Sequence, residues 1–336
     1  MSEWQEYTLG DIVDIKHGYA FKGEFFSETP TTDILVTPGN FKIGGGFKSD
    51  KLKYYNGEIP DGFVLSHEDI IVTMTDLSKQ ADTLGYSAKV PIDSSKVFLH
   101  NQRIGLLIFK DKSFDKDFIY WLMRAEHYQK FVAGSATGAT VKHSSPSRIR
   151  AFKFKAPTSN SLRKKIAKIL SNYDDLIENN LKRIKLLEES ARLIYEEWFL
   201  RFRIDGKKLE IDPESSLPFG WELVELGDFL KFKKGKKADE IFEEKKDNLI
   251  KLLLLSGLGS GEYAYVEKAR HVIARRGDVL MTMDGARSSV VFYSEDGAVG
   301  STMSLVETGK LPKSYLYHFF KSTYEWLEIN NTGAAI

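Results

Sequence analysis

The chain has 336 residues, 42% hydrophobic and 28% charged, with a formal net charge of +1; that length corresponds to about two domains of ~150 residues each. No run of about 18 apolar residues occurs, which excludes a membrane-spanning helix, and the acidic opening MSEWQEYTLGD lacks the apolar core of a secretory signal. Cysteine is absent, which removes disulfides, thiolate metal sites and cysteine nucleophiles and fits a reducing cytoplasm.

The chain opens on Trp4-Gln-Glu-Tyr-Thr-Leu9-Gly10-Asp11 and continues through Ile15-Lys16-His17-Gly18. Apolar runs bounded by turn residues predict strands at 33–36, 69–74, 105–109 and 153–155, and helical spacing predicts a helix over 117–131. Loops rich in Gly, Ser, Thr and Asp fall at 39–46, 75–85 and 134–147. The aromatic share of 12%, with 22 Phe and 15 Tyr, suits β-rich domains packed on rings. Residues 1–157 thus read as a first mixed α/β domain. Pro157-Thr-Ser-Asn-Ser161 then supplies a break and N-cap candidates.

Residues 158–205 form the element around which the rest is organised. From Ser161 to Arg203 there is neither Pro nor Gly, so a helix on the order of 60 Å long is expected at ~1.5 Å per residue. Ile166, Leu170, Tyr173, Ile177, Asn180, Ile184, Leu187, Ala191, Ile194 and Trp198 step by alternating fours and threes. That is a coiled-coil seam, and its one polar member, Asn180, is placed to fix register. A stripe this narrow on so long a helix requires a partner helix. Residues 206–220, with Gly206, Pro213 and Pro218, read as a linker into a second domain over 221–336. There strands are expected at 252–255, 278–283 and 303–306, a helix at 313–329, and loops at 256–261 and 284–289.

The second domain repeats the first. Trp221, Leu226, Gly227, Asp228, Lys233 and Gly235 stand 217 positions after Trp4, Leu9, Gly10, Asp11, Lys16 and Gly18. In the same order, Asp69-Ile-Ile-Val-Thr-Met74 matches Asp278-Val-Leu-Met-Thr-Met283, and Phe118-Ile-Tyr-Trp resembles Tyr315-Leu-Tyr-His. Thr137-Gly138-Ala139-Thr140 matches Thr332-Gly333-Ala334-Ala335. The expected fold is α+β: two tandem mixed domains separated by a long coiled-coil-type helix, with no second spacer helix after the second copy.

No catalytic set emerges. Gly257-Leu-Gly259-Ser-Gly261 is neither a dinucleotide fingerprint nor followed by Gly-Lys-Ser/Thr, and the seven His residues never fall at zinc-type spacing. A duplicated domain without chemistry reads as a binder. Basic clusters recur at equivalent points: Lys16, His17 and Lys22 in the first copy, and Lys231, Lys233, Lys234, Lys236 and Lys237 in the second. Lys142, His143, Arg148, Arg150, Lys153 and Lys155 follow the Thr-Gly loop, and Arg163, Lys164, Lys165 and Lys168 open the long helix. Such groups suit phosphate contacts on a duplex, with a solvated surface as the plain reading. A coiled-coil scaffold without DNA specificity is the competing class. A self-contained modification or cleavage enzyme is a third, for which no cofactor-binding or nuclease motif is visible.

The ordered combination of Trp-x-x-x-x-Leu-Gly-Asp, a domain, a Thr-Gly loop, a basic strand, a long helix bearing Ile166-Ala-Lys-Ile-Leu170 with Asp174 and Asp175, and then the same again resembles the specificity (S) subunit of Type I restriction–modification systems. The resemblance implies two target-recognition domains, each reading half of a split sequence in the major groove, with spacer helices paired as an antiparallel coiled coil. It further implies no catalysis by this chain, which would sit in a cytoplasmic complex with adenine methyltransferase and Type I deoxyribonuclease activities. Methyltransferase (M) and restriction (R) subunits would dock on it, with S-adenosylmethionine, ATP and Mg held by those partners and no cofactor or metal by this chain. Candidates for the DNA face are Lys22, Lys79, Gln80, Thr137, Gly138, Lys142, His143, Arg148, Lys234, Lys236, Lys237, Arg287, Ser288, Thr332 and Gly333. The missing second spacer departs from the family pattern. A truncated product, an engineered piece and a natural variant whose helix comes from another chain stay open, and a lone spacer pairing with its own copy would give a two-fold homodimer.

Overall fold

The computed structural model describes residues 3–76, 78, 81–138, 141–258, 261, 263–284 and 288–329. The chain falls into two compact units, Met1–Leu181 and Lys182–Ile336, divided within the long helix.

Unit one is built on a four-stranded antiparallel sheet in the order Val13–His17, Ile104–Phe109, Ile70–Thr73, Ser87–Lys89. Alternate side chains of a strand leave on opposite faces. Ile70 and Val72 enter one core with Leu9, Ile12, Met123 and Tyr128. Ile71 enters a second core with Ile34, Val36 and Phe98. Burial on both faces is why this strand reads as an unbroken apolar run. A second sheet, in the order Phe26–Ser27, Tyr54–Tyr55, Asp33–Val36, Val97–His100, Val64–Leu65, contains one parallel pair, Asp33–Val36 with Val97–His100.

The opening strand Trp4–Thr8 pairs antiparallel with Lys153–Pro157, so that Phe154 and Ala156 are buried while Lys153 and Lys155 face outward. The helix expected over 117–131 is two helices, Lys116–Leu122 and Glu126–Gly134. Between them the backbone tightens to three-residue bonds, Arg124 N to Trp121 O and Ala125 N to Leu122 O, both 3.1 Å. The break falls where Arg124 is tied to distant groups, its Nε to Gly44 O at 3.0 Å and its Nη1 to the Asp174 carboxylate, alongside a local bond from Nη1 to Tyr120 Oη at 2.8 Å.

The long helix runs Asn160–Tyr195 and finishes in a π-helical turn, Glu196–Leu200, short of the expected end at 203. Phe202 takes a left-handed conformation (φ 54°), and Asp205 and Gly206 (φ 49° and 76°) turn Arg203–Ile204 back onto Lys207–Lys208. The start of the expected linker is therefore a hairpin, closed by an Asp-Gly turn. Within unit one the helix start is seated by Ala167, which is buried, and by Trp121 Nε1 donating to Ser171 Oγ at 3.0 Å. Beyond that, Leu170, Tyr173, Ile177, Ile184, Leu187, Ile194 and Trp198 are exposed, as is Asn180; Ile166 and Ala191 are half-buried. Ile169, Leu176 and Leu181, each more than half exposed, flank the seam and widen the stripe beyond the narrow one the heptad count implies.

Unit two repeats both sheets. Its antiparallel sheet has the order Lys231–Lys234, Met303–Glu307, Val279–Thr282, Val291–Tyr293, and its second sheet Ala264–Glu267, Leu249–Leu253, Gly297–Val299, Ile273–Ala274. Register is kept as well. Lys16 lies opposite Leu106 and Lys233 opposite Leu305; Thr73 lies opposite Ile104 and Thr282 opposite Met303. The parallel pair recurs as Leu252–Ala298 and Leu253–Val299. The helix expected over 313–329 is again two, Lys313–Ser322 and Tyr324–Ile329, split where the Thr323 hydroxyl donates back to Phe319 O at 2.9 Å. Tyr195 is buried at the end of the long helix, its ring 5.8 Å from that of Tyr315 and stacked on His318.

Gly18 and Gly235 show what the repeat preserves. A Cβ on Gly18 would lie 2.2 Å from Asn101 O, and one on Gly235 2.2 Å from Gly300 O. Backbone oxygens cannot yield as a side chain can. Gly18→Ala and Gly235→Ala are each expected to cost about 2–3 kcal/mol in urea titrations. Gly227→Ala, where nothing lies within 4 Å of the added carbon, is expected to stay within about 0.5 kcal/mol. Equal costs at all three would refute the close-approach account.

Candidate nucleic-acid interface

In unit one the residues that follow the Thr-Gly loop come together. Thr137 and His143 pair antiparallel, Thr137 N to His143 O at 3.0 Å and His143 N to Thr137 O at 2.8 Å. Gly138 sits at φ 101°, where a Cβ would fall 2.0 Å from Val141 O, so this corner requires glycine. The strand Lys142–His143 pairs with Thr75–Asp76, and Thr75 Oγ1 lies 3.1 Å from His143 Nδ1. Ser145 caps the short helix Pro146–Arg150, whose Arg148 reaches back to Thr137 Oγ1 at 3.3 Å. Five of the sequence candidates, Thr137, Gly138, Lys142, His143 and Arg148, therefore share one surface.

Asp76 organises the neighbouring loop. Its carboxylate is 4% exposed and accepts from Ser78 N at 2.7 Å, Thr83 N at 2.6 Å, Thr83 Oγ1 at 2.8 Å and Leu84 N at 3.1 Å. Burial works against its charge, yet the hydrogen bonds from Ser78 and Thr83 hold its pKa below the usual carboxylate range. A folded-state pKa lower than the unfolded one gives stability that is present above about pH 4 and lost as pH falls through the folded value. Asp76→Asn is expected to cost about 1–3 kcal/mol at pH 7, with the gap from the parent chain closing in acid. A gap that does not change with pH would refute this assignment.

A cleft of about 600 Å³ lies between this loop and the segment before it, lined by Phe41, Lys42, Ile43, Lys48, Asp76 and Thr83, among others. Phe41 and Phe47 bridge the base of that segment; Gly44, Gly45 and Gly46 turn its tip at φ 83°, 85° and 92°, and Ile43 is 73% exposed. Lys42 and Lys48 are absent from the sequence candidates. The triple glycine after Lys42 was the signal available for them.

Other candidates lie elsewhere. Lys22 precedes the turn Gly23–Phe25 and pairs with Glu24 at 3.7 Å. In unit two Lys234 closes the edge strand Lys231–Lys234 and faces Asp284 at 3.5 Å, while Lys233 pairs with Glu307 at 2.6 Å; Lys236 and Lys237 follow, exposed. Ser288 is 6% exposed, inside unit two rather than on its surface. Lys79, Gln80, Arg287, Thr332 and Gly333 fall outside the described residues. One member of the basic clusters, Arg163, is 2% exposed and not available to phosphates, and Arg150 is paired with Asp14 at 2.9 Å. Among the described residues no group of three or more His, Asp or Glu is placed to hold a metal, and no helix is long and apolar enough to cross a membrane.

Residues 1–189 match the family model described as the Type I restriction modification DNA specificity domain. The chain is 26% identical over 258 residues to the Type I restriction enzyme MjaIX specificity subunit of Methanocaldococcus jannaschii, covering 66% of this chain and 59% of that protein. It is 25% identical over 140 residues to the EcoBI specificity subunit of Escherichia coli, covering 42% of this chain and 26% of that one. The chain thus spans less than two thirds of the length of these relatives. The crystal structure of a Type I restriction–modification S subunit from M. genitalium shares its fold, with a TM-score of 0.59 at 18% identity over 98% of this chain and 81% of the other.

Proposed function

Because the chain belongs to the Type I restriction modification DNA specificity family, we propose that it is the non-catalytic DNA-recognition subunit of a Type I restriction–modification complex in the cytoplasm. The observation that carries this reading is the repeat of strand order and register in the two units, which supports two copies of one reader joined by the long helix. Each unit would take half of a bipartite site. In unit one Thr137, Lys142, His143 and Arg148, with Lys42 and Lys48 across the cleft, form the DNA face; in unit two Lys234, Lys236 and Lys237 belong to it. Main-chain corners such as Gly138 hold the loops, the cations position phosphates, and the polar loop side chains read base edges.

The exposed stripe from Leu170 to Ile194 seats a second spacer helix, and a second copy of this chain can supply it by antiparallel pairing. Methyltransferase subunits carrying S-adenosylmethionine and restriction subunits using ATP and Mg dock on this core and supply the chemistry.

The test is binding of the chain, with its methyltransferase partner, to duplexes at stepped salt. Lys142→Ala and Arg148→Ala are each expected to lower affinity, and for phosphate contacts to reduce the salt slope by about one. Mapping methylated adenine in the host with and without the gene is expected to show a bipartite motif that disappears on deletion. Binding without preference among duplexes at low salt would favour the scaffold reading instead.

A further inference from the structure

Unit one carries a pinned tip beside its candidate DNA face. Phe41 and Phe47 bridge antiparallel, and beyond them Lys42 N donates to Gly46 O and Gly45 N to Lys42 O, both at 3.0 Å. The tip is also held from outside itself. Gly46 N donates to Ser87 O at 2.9 Å, and Arg124 Nε donates to Gly44 O at 3.0 Å. The stem of Arg124 packs against the turn, since a Cβ on Gly45 would lie 2.5 Å from Arg124 Cγ. Its guanidinium is fixed in turn, 4.2 Å from the centre of the Trp121 ring and bonded to the Asp174 carboxylate. Within this turn stands Ile43, 73% exposed, next to an exposed Lys42. Both line the cleft that Asp76 lines too, and Asp76 stands opposite Lys142 in the strand pair of the DNA face.

A β-branched side chain on a pinned backbone offers its methyl groups at one place. A two-stranded ribbon fits the major groove, and the apolar group that groove presents is the 5-methyl of thymine. A cation beside an apolar tip divides such a contact, with Lys42 on phosphate and Ile43 on the base. We infer that Ile43 is a specificity-determining residue of unit one, meeting the 5-methyl group of a thymine in its half-site, and that Arg124 is the residue that positions it. This rests on the DNA-recognition reading and adds to it a base and the side chain that reads it.

The probe is a labelled duplex carrying the bipartite motif found by methylated-adenine mapping, titrated by fluorescence anisotropy into the full chain with its methyltransferase partner. Thymines of both halves are replaced one at a time by deoxyuridine, which removes only the methyl group. At one position the parent chain is expected to bind the thymine duplex about fourfold tighter than the uracil duplex, as burial of one methyl group implies. In Ile43→Ala that ratio is expected to fall to about one, with the salt slope unchanged because no phosphate contact is lost. Arg124→Lys keeps the charge but cannot hold Gly44 O and Asp174 together, so its ratio is expected to fall below about twofold at the same salt slope. A ratio that persists in Ile43→Ala, or no thymine whose replacement changes affinity, overturns the assignment of Ile43 and leaves the sequence preference of the parent chain standing. A full ratio in Arg124→Lys overturns the positioning role. A parent chain that binds all duplexes alike overturns the DNA-recognition reading, and this inference with it.

Discussion

Arg163→Ala is expected to cost unit one about 3–5 kcal/mol, near the top of the range for a single substitution. Its guanidinium is buried and donates to Pro157 O at 2.6 Å, Thr158 O at 3.0 Å and Ser113 O at 3.0 Å, with its plane 4.0 Å from the centre of the Phe114 ring. Each bond from a cation to a carbonyl contributes about 1.5–3 kcal/mol, and truncation leaves three acceptors unmatched. One side chain thereby joins the strand Lys153–Pro157, the loop before Lys116–Leu122 and the first turn of the long helix. Arg163→Lys keeps the charge but not the planar fork, so it is expected to recover about half of the loss. Lys164→Ala, one residue along and exposed, is expected to change stability by less than about 0.5 kcal/mol. Exchange rates of the amides in Ile70–Thr73, followed in urea, report unit one alone. A cost below about 1 kcal/mol for Arg163→Ala would show that water replaces the fork, and the joint would lie elsewhere.

That contrast between neighbouring cations shows where the sequence is readable. Ile70–Thr73 and Val279–Thr282 are legible because burial on both faces leaves a continuous apolar run that no loop carries. The long helix is legible because its period persists where no tertiary contact interferes. Arg163 belongs by residue type to the cationic run that opens the long helix, and residue type alone does not say which way a side chain turns. The break between Leu122 and Glu126 was hidden for a related reason. The apolar spacing continues across it, and the helix breaks where Arg124 is held by long-range bonds to Gly44 and Asp174. Asp205-Gly206 is legible as a turn, yet the boundary between helix and linker at 205/206 cuts through it. In the candidate site, Gly138 marked the Thr137–His143 corner, whereas the cleft beside it depends on Asp76 gathering amides from residues 78, 83 and 84, a convergence no local pattern records.

Ile177→Asp combined with Ile184→Asp is expected to separate folding from assembly. Both side chains are more than half exposed, at 56% and 52%, so the urea midpoints of the two units are expected to move little. In a paired spacer the same positions lie on the seam. Burying an isoleucine contributes about 1.5–3 kcal/mol, and a carboxylate in its place must also be desolvated, so each change costs association about 3 kcal/mol. Together they are expected to weaken pairing by about four orders of magnitude, converting a dimeric mass in sedimentation equilibrium to a monomeric one at micromolar concentration. Asn180→Leu works in the opposite direction, strengthening association while loosening the register that a buried polar pair imposes. Ile169, Leu176 and Leu181 sharpen the test. If the widened stripe is covered by the partner helix, Leu181→Asp weakens pairing as well; if the seam alone is covered, it does not. A double variant whose mass matches that of the parent chain would remove the paired-spacer reading, and with it the means by which one helix sets the distance between two readers.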